Sequence, residues 1–121
     1  MQDILTCAMG LDVHRDVIVA CLAKGELGAD PEIEIRSFST LITEMRKLRD
    51  WVLEVDCHHV AMESTGIYWQ PIYEMLEPCF DGQINILVVN ARHMKNVPGR
   101  KTDMRDAQWI ATLVRAGLLK V

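Results

Sequence analysis

Four acidic residues stand where a carboxylate has chemistry to do. Asp12 closes the apolar run "ILTCAMGLDV" (Ile4–Val13), and Glu63 closes "HHVAME" (His58–Glu63). Asp103 and Asp106 lie three residues apart in "GRKTDMRDAQWIA". An ionised carboxylate at the end of a buried strand is costly unless it faces a cleft, a partner or a cation. Acids at i and i+3 of a helix share one face, roughly 5–6 Å apart at Cβ. If one sheet gathers all four, they repel one another until divalent cations neutralise them. Mg²⁺ takes hard oxygen ligands and keeps several waters, so one or two carboxylates per ion suffice, and Mn²⁺ is a natural substitute. Two such ions about 3.5–4 Å apart activate water or a hydroxyl and stabilise the leaving oxygen of a phosphodiester.

Each acid also has a purely structural reading. Asp103 and Asp106 fit the N-cap and third position of a capping-box-like helix start, where acids also complement the helix dipole. Glu63 reads equally as an exposed strand-end residue, and Asp12 as the ion-pair partner of a neighbour such as Arg15. What favours chemistry is the joint arrangement, two acids ending strands and two opening a helix.

Charge supports a polyanionic partner at one end only. Residues 1–91 carry 6 Lys and Arg against 15 Asp and Glu, whereas residues 92–121 carry 7 against 2. The whole chain is acidic, at a net charge of −4, yet its basic segment is concentrated enough to form a phosphate-binding patch. Arg92, Lys95, Arg100, Lys101 and Arg105 are the candidates for holding a nucleic-acid backbone. A solvated basic helix face is the alternative.

At 121 residues the chain suits one domain around a single core. No apolar run approaches the roughly 18–20 residues that span a bilayer, and "MQDILTCAMG" lacks the basic start of a signal peptide. The expected location is the cytoplasm, with no membrane partner. Cys7, Cys21, Cys57 and Cys79 form no C-x-x-C pair and sit in or beside apolar segments, as reduced and mostly buried thiols do.

The elements that must position the acids follow from periodicity. Ile4–Val13 reads as a strand buried on both faces. His14-Arg15 makes a tight connection to a β-branched strand over Asp16–Ala23, and Glu32–Phe38 alternates as a half-exposed strand near an edge. Ser39 or Thr40 is placed to cap a helix whose stripe is Leu41, Met45, Leu48, Val52 and Val55. His58–Glu63 is a short strand. Pro71 suits the first turn of a helix that stops near Pro78, and Ile84–Val89 is the next buried strand. A last helix is expected from about Thr102 to Ala116, with Gly117 as its stop. The order β-β-β-α-β-α-β-α predicts three antiparallel strands, then parallel strands reached by right-handed crossovers, in a mixed sheet flanked by helices.

The motifs "GLDVHRD", "AMESTGIYW" and "VNARHMKNVPGRKTDMRDAQWIA", in this order, resemble the N-terminal catalytic domain of DEDD transposases. These are the insertion-sequence-110-type mobile-element recombinases, related to the Piv DNA invertases. The resemblance covers essentially the whole chain. It implies an α/β, ribonuclease H-like fold of the RuvC resolvase type with a mixed five-stranded sheet. It places the family's DEDD set on Asp12, Glu63, Asp103 and Asp106 as Mg²⁺ ligands for DNA cleavage and strand exchange. It also implies a guide RNA encoded by the element as a possible second partner, and a homo-oligomer in the full-length protein. Family members continue into a second domain bearing a serine nucleophile. These 121 residues hold no match to it, so the expectation is a catalytic domain that does not complete recombination alone.

Other residues read more plainly. Trp51 and Trp109 lie on helical stripes as core or partner-facing residues. Tyr68 and Trp69 suit burial at a helix entry, or stacking on a base. His14 and His93 read as surface histidines. Two other functions compete: a nucleic-acid-binding or assembly module without its own catalysis, and an actin-like or sugar-kinase ATPase. The latter needs a Gly-rich phosphate turn after its first aspartate, where this chain has Val13-His14-Arg15.

Overall fold

The computed structural model describes residues 4–89 and 106–117. Its strands are β1 (Cys7–Val13), β2 (Val17–Lys24), β3 (Glu32–Ser39), β4 (His59–Ser64) and β5 (Asn85–Val89). Its helices are α1 (Ile42–Glu54), α2 (Trp69–Leu76) and α3 (Asp106–Arg115), with a 3₁₀ turn over Cys79–Gly82. The strands form one five-stranded sheet in the order β3-β2-β1-β4-β5. β1 pairs with β2, and β2 with β3, antiparallel; β1–β4 and β4–β5 are parallel. This is the mixed sheet the element order predicts.

Side-chain alternation divides β1 between two cores. Met9, Leu11 and Val13 face Met45, Leu48, Trp51 and Val52 of α1 and Ile72 and Leu76 of α2. Ala8 faces the opposite layer, packed with Ala61 of β4 and with Trp109, Ile110, Leu113 and Val114 of α3. Cys21 and Ala23 of β2 complete that second layer against Ala107 and Ala111. The sheet is paved with small residues beneath α3, so the helix comes very close. A methyl group built on Gly10 would lie 2.5 Å from the Ala111 backbone nitrogen, and nearer still to the Ala107 carbonyl oxygen.

α3 runs antiparallel to β1. At its far end the Arg115 carbonyl accepts hydrogen bonds from Ile4 N (2.8 Å) and Leu5 N (2.9 Å), while Ala107 and Ala111 lie over Gly10. The Asp106 end of α3 therefore points toward the carboxyl end of β1, where Asp12 sits. The Arg115 side chain is 1% exposed. Its guanidinium donates to the carbonyls of Leu5 (3.0 Å), Gly25 (2.9 Å) and Glu26 (2.9 Å). It is thus withdrawn from the basic surface that its sequence position suggests. Gly117, at φ +70°, ends the helix as expected.

Several local expectations are corrected. β2 begins at Val17, because Arg15-Asp16 form the hairpin turn closed by His14 N to Val17 O at 2.9 Å. Neither Ser39 nor Thr40 is the N-cap of α1; Leu41 holds that position without a side-chain cap, and is 68% exposed. The Thr40 hydroxyl instead donates to the Arg15 carbonyl at 2.8 Å, tying the start of α1 to the β1–β2 turn. The expected start of the last helix at Thr102 lies outside the described residues. Among the described residues no helix is long and apolar enough to cross a membrane.

Candidate active site

Asp12 and Glu63 are direct Cα partners across the parallel β1–β4 pair. Asp12 shares its strand face with Ala8 and Gly10, and Glu63 shares its face with Ala61, so both belong to the α3 side of the sheet. The register continues through Val13 and Ser64, and Thr65 N then donates to Val13 O at 3.2 Å. The two acid-bearing strand ends are thereby fastened together. Neighbouring strands lie about 4.8 Å apart, close enough for two carboxylates to share a cation.

The structural partner of Asp12 is His14. Nε2 of His14 lies 3.1 Å from Asp12 Oδ1, with the two side chains 47% and 16% exposed. Arg15, the neighbour named in the structural alternative for Asp12, turns away to Asp16, where Nη2 and Oδ2 are 3.0 Å apart. The sequence held a signal for His14, since residues i and i+2 of a strand project to the same side. His14 can orient the Asp12 carboxylate through a charge-assisted hydrogen bond.

Asp106 is brought to the same end of the sheet by the close approach of α3 at Gly10. The remaining predicted site residues, Asp103 and the basic set Arg92, Lys95, Arg100, Lys101 and Arg105, lie outside the described residues. Among the described residues no three His, Cys, Asp or Glu side chains form a group that could hold a metal ion. What is assembled is an acidic pair on adjacent strands, with a third acid on the helix that crosses them. Its donors are hard oxygens, and two per ion match what Mg²⁺ needs beside its own waters.

Comparison with known proteins gives the family and the fold. The family profile described as a transposase, of the DEDD insertion-sequence-110 type, matches residues 9–121. No curated protein matches the sequence. Among solved structures, RuvC of Thermus thermophilus is similar at a TM-score of 0.57 and 8% identity, over 91% of each chain. A Fowlpox virus resolvase, solved with its substrate Holliday junction DNA, is similar at 0.56 and 9% identity, over 91% of this chain and 96% of that one. T. thermophilus RuvC in complex with a Holliday junction substrate gives 0.51 and 13%, over 93% and 97%. At such identities the likeness establishes the fold, which is ribonuclease H-like.

Proposed function

This chain belongs to the DEDD transposase family, and from that premise we propose that it is the metal-dependent DNA-cleaving domain of an insertion-sequence transposase. The observation that carries the reading is the in-register pairing of Asp12 with Glu63, on the sheet face that α3 crosses with Asp106 at the same end. Asp12, Glu63, Asp103 and Asp106 would hold Mg²⁺, which when bound supplies charge neutralisation and an activated water. The protein's own part is positional. Parallel strands fix the spacing of the first two acids, Gly10 lets the helix bring Asp106 down, and His14 orients Asp12. Arg92, Lys95, Arg100, Lys101 and Arg105 would bind phosphates of DNA, and of a guide RNA where one is used.

The alternative is a nucleic-acid-binding or assembly module without chemistry. Mn²⁺ binding, followed by electron paramagnetic resonance with and without DNA, separates the two. Under the leading reading the wild-type chain binds Mn²⁺ in the presence of branched DNA and nicks it, and Asp12→Asn loses both properties while still binding DNA. DNA binding with no metal uptake and no nicking by the wild-type chain would establish the module instead.

A further inference from the structure

A cavity of about 330 Å³ is lined by Arg15, Thr40, Ile67, Tyr68, Gln70 and Glu74, among others. It belongs to the α1–α2 side of the sheet but to the same end as the acids. Arg15 follows Asp12 by three residues, at most about 10 Å of chain. Tyr68 follows Glu63 through the loop that Thr65 N anchors to Val13 O. We propose that this cavity receives one unstacked nucleobase of the DNA strand whose phosphate lies at Asp12 and Glu63. The proposal rests on the DNA-cleavage reading above and adds to it a base-binding site.

The lining chemistry selects a base. Tyr68 is 39% exposed and Ile67 is 70% exposed, so an aromatic residue and an apolar neighbour are both open to solvent at this cavity. Arg15 is 73% exposed at its side chain, its guanidinium steadied by Asp16, and a guanidinium plane stacks on bases as aromatic rings do. The Gln70 amide and Glu74 carboxylate supply donor and acceptor groups of the kind that read a base edge. A phosphate is disfavoured, because Glu74 lines the cavity and Asp16 already neutralises Arg15. The volume lies at the small end of ligand sites, about 300–1,000 Å³, so it admits one heterocycle and excludes a duplex. Extracting a base from a duplex costs stacking and pairing energy, so the site favours DNA that is already unpaired, as at a branch point.

Abasic substitution, walked one position at a time along the unpaired strand of a branched DNA, tests this with the full 121-residue chain. One position is expected to weaken binding by about 5-fold to 150-fold, the range for loss of one base–aromatic stack. Tyr68→Ala on intact DNA should lose a similar factor, with no further loss when combined with that abasic position. Tyr68→Trp should retain binding, and 5-iodouracil at the sensitive position should photocrosslink to Tyr68. Normal binding with no sensitive position, or losses from Tyr68→Ala and the abasic site that simply multiply, overturns the base site alone. Failure of the wild-type chain to bind any DNA overturns this site and the cleavage reading together.

Discussion

Replacing Gly10 by alanine tests the packing that brings the last helix to the acids. The added methyl would lie 2.5 Å from Ala111 N, and closer to Ala107 O. Both atoms are backbone, so no rotamer change relieves the contact. Restoring an ordinary separation of about 3.5 Å means moving α3 outward by roughly 1 Å. A gap of that size forfeits a quarter to a half of the dispersion energy of the contacts it opens, and α3 presses Trp109, Ile110 and Leu113 into the sheet. The cost belongs at the upper end of the overpacking range, about 3 kcal/mol, or a fall in melting temperature of about 12 °C for a domain of this size. Thermal unfolding by circular dichroism reads the stability. Mn²⁺ titration in the presence of DNA reads the site, where affinity should fall because Asp106 moves with the helix. Gly25→Ala is the control. Its methyl meets nothing nearer than Pro31 Cα at 3.3 Å, so it should cost under about 1 kcal/mol. A Gly10→Ala protein melting within about 2 °C of wild type, with unchanged Mn²⁺ affinity, would refute the reasoning from helix position to site.

Three further outcomes follow from groups outside the site. Arg115→Met strips a charged donor from the carbonyls of Leu5, Gly25 and Glu26, and should cost about 4 kcal/mol in urea unfolding; a loss below about 1 kcal/mol contradicts the clamp. A hydrogen bond from the Cys57 thiol holds the Cys7 thiol down to about 7, and the same bond pushes Cys57 up. Iodoacetamide at neutral pH should therefore label Cys7 first of the four cysteines, with a midpoint near pH 7 that moves toward 9 in Cys57→Ala. His58 is held above its usual value by hydrogen bonding to the Gln83 carbonyl and then by Asp56. A raised folded-state value means the stabilisation is complete below the unfolded pKa of about 6.5 and fades as pH rises through the folded value. The melting-temperature gap between wild type and His58→Gln should accordingly be wider at pH 5.5 than at pH 8.5, and an equal gap at both would remove His58 from the account.

The order of elements was legible because most strands are runs of apolar or β-branched residues, β3 alternates, and the helices change the period to three or four. Asp12 and Glu63 were legible as strand-end acids, but their direct opposition was not. Register depends on how β1 and β4 pair across residues 9–13 and 60–64, and nothing local to either segment encodes that. The capping of α1 was misread because Ser and Thr serve turns as well as caps, and the Thr40 hydroxyl is spent on Arg15, 25 residues away. The structural alternative for Asp12 named Arg15 as a possible partner from sequence proximity, whereas strand geometry delivers His14. Nothing in the sequence singled out Arg115, and only the fold shows its three carbonyl partners. Gly10 carried a readable hint, since glycine inside a strand often marks close approach of another backbone.

The Arg115 clamp has a consequence for how the domain comes into being. Its bonds join residues separated by 110, 90 and 89 positions, and the helix that carries them follows every strand of the sheet in chain order. Synthesis runs from the amino terminus, so strands carrying Asp12 and Glu63 emerge well before the element that must cross them. Closing contacts of such long separation is slow compared with forming hairpins or single helices. Asp106 accordingly joins Asp12 and Glu63 only after the whole sheet has been made and the helix that follows it returns to lie on the first strand.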